Sequence, residues 1–227
     1  MHYDQFETLI STPRLSRYWL SCKGSTCQIQ QLYSANIRLT QAFLGVLSLF
    51  EVVLRNKIDQ CYKTTVLHQN GADDWLIRSI QAGGFLTQKG CEKSLVKIRA
   101  AYDKLGKYYS HDKLVAELSF GVWVILFAGK QYQAGGNVLL SIFTKRPHKL
   151  NQKAIYQKLN QINSLRNRVA HHEPICFGPN NTISANYART HFQHIVDLLT
   201  WMEVDVDALF QDIFSCENEM DALERFV

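Results

Sequence analysis

The chain's 227 residues, 46% hydrophobic and 20% charged, exclude a disordered or fibrous protein and suffice for one large domain or two small ones. The net charge of +5 conceals an asymmetry: residues 1–202 hold 24 Lys or Arg against 12 Asp or Glu, whereas residues 203–227 hold one Arg against eight acids. So basic a body can attract a polyanion by counterion release, and an acidic tail can screen it or contact a second subunit; two solvated faces explain the charges equally well.

Helical spacing dominates in chain order. Ser11-Thr12-Pro13 reads as a cap followed by proline, opening a short helix through Leu15, Tyr18 and Trp19. After the loop at Lys23-Gly24-Ser25, apolar residues from Ile29 and Leu32 through Phe43, Leu47 and Phe50 to Ile58 recur at threes and fours, predicting one long helix over roughly 27–63. Glu51 and Arg55 lie one turn apart in it, a spacing that lets them pair. Asp73-Asp74 caps a short helix on Trp75 and Ile80, Gly83-Gly84 breaks it, and Thr87 opens another through Leu95, Ile98, Tyr102 and Leu105.

Asp112 begins a segment whose centre, Leu118 to Phe127, is apolar all round, the pattern of a helix buried in a bundle. Gly135-Gly136 ends that region and a short helix follows near Val138 to Phe143. The basic turn Lys145-Arg146-Pro147-His148-Lys149 leads to Asn151 as a cap for a helix through Ile155, Leu159, Ile162, Leu165 and Val169. Pro174 disfavours helix at Glu173, so this helix should end near His172. A turn-rich link at Gly178-Pro179-Asn180-Asn181 precedes a helix over about 185–202, and one or two acidic helices follow. No segment alternates as a strand would and no linker stands out. The expectation is one all-α domain, a helical bundle over about 6–202 with acidic helices over 203–227.

Six cysteines, at 22, 27, 61, 91, 176 and 216, form no Cys-x-x-Cys pair and read as reduced thiols in or near the core. The first residues lack the basic lead-in and apolar run of a secretory signal. The longest uninterrupted apolar stretch, Phe120 to Ala128, is about half the roughly 20 residues of a spanning helix. A cytoplasmic protein without a membrane segment is therefore expected. His191 and His194 fall at i,i+3 but lack an acidic or cysteine partner at metal-binding spacing, and no phosphate-cradling glycine loop or hydrolase motif occurs. No metal or cofactor is expected.

The chemistry-bearing stretch is Arg166-Asn167-Arg168-Val169-Ala170-His171-His172-Glu173-Pro174. A guanidinium holds a phosphate and an imidazole moves a proton near neutral pH; the helix dipole also collects Arg and His at an ordinary helix end. Helical phase puts Ile162, Leu165, Val169 and His172 on one stripe, and Asn160, Asn163, Asn167 and His171 on another. It directs His171 to the polar side, flanked by Arg166, and His172 to the packed side. Asn167, one turn below His171, is spaced to orient its imidazole. Lys145, Arg146 and Lys149, with Lys153 on the next turn, offer a phosphate-contacting patch or a solvated basic loop.

Four segments resemble, in order, the Abi-like family of bacterial phage-defence proteins within the HEPN superfamily of helical ribonucleases. They are Ile10 to Tyr18, Phe50-Glu51-Val52-Val53-Leu54-Arg55-Asn56, Leu118-Ser119-Phe120-Gly121-Val122-Trp123, and Arg166 to Glu173. The superfamily signature is an Arg, often followed by Asn, and then a His after four to six residues. The resemblance implies an all-α, metal-independent endoribonuclease, a toxin or abortive-infection effector acting as a homodimer on RNA to leave a 2′,3′-cyclic phosphate. An RNA or protein antitoxin is a further partner it admits. In this reading Arg166, Asn167, His171 and His172 form the catalytic set, Arg168 and the basic patch bind RNA, and Glu51 and Arg55 form the supporting second motif. A non-catalytic RNA- or protein-binding module is the rival, since the superfamily includes such members, and a structural partner contacted through the acidic tail is a third.

Overall fold

The computed structural model describes residues 1–70, 74–213 and 215–226. Among them it is all-α, with no sheet beyond a lone antiparallel bridge between Phe177 and Ile183. The helices run α1 (Tyr3–Ile10), α2 (Thr12–Ser21), α3 (Thr26–Asn70), α4 (Trp75–Ile80), α5 (Glu92–Leu105), α6 (His111–Glu117), α7 (Phe120–Ile125), α8 (Gly129–Ala134), α9 (Gln152–Ala170), α10 (Asn186–Trp201), α11 (Val206–Phe210) and α12 (Cys216–Leu223).

Two compact units can be distinguished. The first comprises Met1–Ser48, Ser164–Val196 and Asp207–Val227; the second comprises Leu49–Asn163 and Asp197–Val206. In the first, α3 buries Ile29, Leu32, Leu39 and Phe43, and Phe43 meets Phe192 of α10 edge-on at 6.3 Å. Helix α12 sinks Cys216, Met220 and Leu223 into this unit. In the second, Phe50 meets Phe120 edge-on at 6.0 Å, while Tyr62 stacks on Trp75 at 4.4 Å and on Phe85 at 5.6 Å. Each fully buried Leu, Ile or Phe contributes about 1.5–3 kcal/mol, so these faces, rather than helix propensity, hold the elements in place. All six cysteines are free thiols, and only Cys27 is exposed.

Several expectations about elements are corrected. Helix α2 opens after Ser11 with Pro13 in its first turn as expected, but an unexpected helix α1 precedes it, and Ser11, with φ 83°, makes no side-chain cap and forms a sharp corner between the two. Thr87 does not open a helix: its hydroxyl donates to the Gly84 carbonyl at 2.7 Å, closing a 3-10 turn, and α5 begins five residues later. Gly84 is required there, because a Cβ would lie 2.2 Å from the Arg78 carbonyl oxygen. The apolar segment after Asp112 is two helices, since Leu118 and Ser119 are extended between α6 and α7. Phe120, Val122, Trp123 and Val124 are nevertheless buried as expected. Asp74 caps α4 by accepting from the Ile77 amide at 3.0 Å; Asp73, read as part of the same cap, lies outside the described residues.

Helix α3 carries one charge, Arg38, between Thr26 and Phe50. Within its stretch Thr26–Thr65, 18 consecutive residues reach a mean hydropathy of 1.7 with 44% of them buried, so by length and composition alone this helix is apolar enough to cross a membrane, as the core helix of a bundle also is. Counting uninterrupted apolar runs overlooked it, because uncharged polar residues punctuate the stretch.

Candidate functional site

Helix α9 begins where expected: Asn151 Oδ1 accepts from the Ala154 amide at 3.1 Å. Ile155, Leu159, Ile162 and Leu165 are fully buried and Val169 is nearly so. At the other end the amides of His172 and Glu173 fold back onto the carbonyls of Val169 and Arg168, at 3.1 and 2.8 Å. These paired bonds make a Schellman motif, in which the residue after the helix is left-handed and usually glycine. Here that residue is His172, with φ 55°, a conformation that costs a residue with a Cβ about 1–2 kcal/mol. The expectation that His172 faces the packed side is thereby corrected. Helical phase stops before it, and both His171 and His172 are exposed.

The chain beyond the helix end is held by α2 and α3. Arg14, in the first turn of α2, donates through Nη2 to the main-chain oxygens of His171, at 3.5 Å, and of His172. Arg17 donates from Nε to Asn181 Oδ1 at 3.0 Å and lies over the Phe177 ring at 4.7 Å. Ser21 donates to the Asn181 carbonyl at 2.5 Å. Buried Tyr18 meets Phe177 edge-on at 4.9 Å. From α3, buried Asn36 accepts from the Ile175 amide at 2.9 Å, and burial pushes the neighbouring Cys176 thiol up to about 12. The residues after the motif are therefore a fixed strap rather than a loose loop.

The remaining candidates divide by what occupies them. Arg166 is half-buried and Asn167 exposed. Among the described residues, the side chains of Arg166, Asn167, His171 and His172 make no hydrogen bond or ion pair, so the expected contact from Asn167 to the His171 ring is absent. Arg168 is occupied, paired with Glu173 at 3.3 Å and lying over the Tyr187 ring at 4.7 Å. In the second unit Arg146 donates to the carbonyls of Leu140 and Phe143 at 3.2 and 3.3 Å, which makes it a brace of its own turn. Lys145 pairs with Glu203 at 3.3 Å, whereas Lys149 and Lys153 are exposed and unpaired among the described residues. Glu51 and Arg55 are both half-buried on α3, with Arg55 Nε enclosed and lacking an acceptor among the described residues. Gly121 of α7 lies against Asn163, where a Cβ would sit 3.8 Å from its side-chain oxygen.

Sequence reasoning missed two features. One is Arg14. The signal was present, since a cation in the first turn of a helix opposes that helix's own dipole and calls for an outside partner. The other is a half-buried cluster in the second unit. Both ring nitrogens of His111 engage carboxylates, Nε2 with Asp59 at 2.6 Å and Nδ1 with Asp74 at 3.1 Å. Asp59 also accepts from Trp75 Nε1 at 2.7 Å and pairs with Lys63 at 2.8 Å, while Asp74 accepts from Tyr109. Burial raises the Asp59 carboxyl, but hydrogen bonds from His111, Lys63 and Trp75 outweigh it and hold the group at about 2. The Asp59 hydrogen bond is also the main reason the His111 pKa is raised. His191 is buried and bonded through Nδ1 to the Tyr187 carbonyl at 2.7 Å, and burial lowers its pKa. Among the described residues no three His, Cys, Asp or Glu side chains are grouped to hold a metal ion. Compared with protein-family models, curated proteins and solved structures, the chain matches none.

Proposed function

We propose that this protein is a metal-independent endoribonuclease, an effector of phage defence or a toxin, acting on RNA as a homodimer in the cytoplasm. The observation that carries the reading is the contrast at the end of α9. Arg14, Arg17 and Arg168 are each engaged within the chain, whereas Arg166 and the exposed His171 have no side-chain partner among the described residues. The His171 imidazole takes the proton from a ribose 2′-hydroxyl, O2′ attacks the adjacent phosphorus, and the bond from phosphorus to O5′ breaks. Arg166 neutralises the charge that builds on the non-bridging oxygens. His172, or an imidazole of the second subunit, returns a proton to O5′, so the products are a 2′,3′-cyclic phosphate and a 5′-hydroxyl. Lys149 and Lys153 remain available to contact phosphates, while Arg146 and Arg168 serve the protein's own packing.

Purified full-length protein should cut single-stranded RNA in the presence of EDTA. Arg166→Ala or His171→Ala should lower the rate by at least about 100-fold, the range typical of lost general-base or charge-stabilising groups, with an unchanged melting temperature. Cleavage that needs a divalent ion, or that survives both substitutions, sinks the mechanism. The second reading, a non-catalytic RNA- or protein-binding module, is favoured by one observation: among the described residues no side chain orients the His171 ring. RNA bound in a salt-dependent manner but never cut is its signature.

A further inference from the structure

We propose that Arg14 is a positioning residue for the histidines at the end of α9, an inference that rests on the ribonuclease reading. One guanidinium nitrogen bridges two successive carbonyls, those of His171 and His172. It thereby fixes two successive peptide planes, and those planes set the directions in which the two imidazoles leave the backbone. His172 makes the restraint necessary. Its left-handed backbone, φ 55°, is one that a residue with a Cβ seldom keeps unless its surroundings hold it.

Electrostatics fits the same assignment. The C-terminal end of α9 carries partial negative charge, and Arg14 sets a full positive charge on the two carbonyls just beyond it, where charge-assisted hydrogen bonds are strong. At the start of α2 the same cation faces the positive end of its own helix. Stability of α2 therefore does not account for an arginine at this position, whereas closure of the turn 157 residues away does. Arg14 is itself exposed, so replacing it leaves the buried core intact.

The test compares steady-state cleavage of one single-stranded RNA by wild type, Arg14→Ala, Arg14→Lys, His171→Ala and the double variant Arg14→Ala with His171→Ala. A shift of about 1 Å in a reacting group lowers rates by about 100-fold. Arg14→Ala should therefore lower kcat by about 10- to 100-fold with KM changed less than about 2-fold. Arg14→Lys, which keeps the charge and donors without the rigid fork, should recover part of the loss. The double variant should be no slower than His171→Ala alone, because a misplaced imidazole and an absent one fail at the same step. If Arg14→Ala lost its fold, the lysine variant and its cycle with His171→Ala would carry the comparison. Wild-type kcat in the Arg14 variants, a loss confined to KM, or full additivity with His171→Ala would overturn the assignment and leave the ribonuclease reading intact. An inactive wild-type protein would overturn both.

Discussion

His111 is the residue whose environment departs furthest from what its neighbours in sequence suggest. Its partners Asp59 and Asp74 lie 52 and 37 positions away, so no local spacing announces the cluster. A carboxylate on each ring nitrogen favours the charged form of the imidazole and raises its pKa. A raised folded pKa means that its stabilisation is complete below the ordinary imidazole value and is lost as pH rises through the folded value. Asp59 behaves oppositely: its stabilisation is present above the ordinary carboxyl value and lost as pH falls toward about 2. The difference in melting temperature between wild type and His111→Gln should accordingly be largest just below pH 6.5 and shrink as the buffer is made alkaline. A difference that grew with pH would show that His111 is neutral in the fold. The site residues show the same limit of legibility. Arg166 and His171 stand out in sequence because they share one short run, whereas Arg14 acts across the fold and shows itself only as a cation at an unsuitable helix end.

Among the elements, α3 and α9 are the most legible because a buried stripe repeated over many turns is a strong signal, although α3 runs to Asn70 rather than ending near 63. Short elements were read less well. The break at Leu118 and Ser119 lies within an unbroken apolar run, where periodicity carries no information. The turn after α9 was placed by Pro174, but its handedness was not, and that error sent His172 to the wrong face. Two substitutions test the end of this helix. His172→Gly should raise stability by about 0.5–2 kcal/mol in denaturant titration, since glycine adopts the left-handed residue without strain. Asn36→Ala should lower it by about 1–3 kcal/mol, because the Ile175 amide would be left buried without an acceptor.

For the whole molecule, the charge asymmetry has a partner inside the chain. Glu219 of α12 pairs with Arg38 at 3.2 Å, and Asp221 and Glu224 pair with Arg189 at 2.5 and 2.7 Å. These acids screen the chain's own arginines, the first of the three roles the sequence left open for the tail. Exposed pairs contribute about 0–1 kcal/mol each, so Glu219→Gln, Asp221→Asn and Glu224→Gln together should barely move the melting temperature. On the proposed ribonuclease reading, the triple variant should bind RNA more tightly, with a steeper loss of affinity in salt. Deleting residues 203–227 is a different experiment, since it also removes buried Cys216, Met220 and Leu223, and that protein should melt early or aggregate.

The contacts from α2 to the strap join residues 157 to 164 positions apart. During synthesis α2 is made well before the carbonyls and side chains it will hold. A nascent or prematurely released chain ending before Asn181 lacks the acceptors for Arg17 and Ser21, and one ending before His171 lacks those for Arg14 as well. Incomplete copies therefore lack the contacts that fix the strap beyond α9.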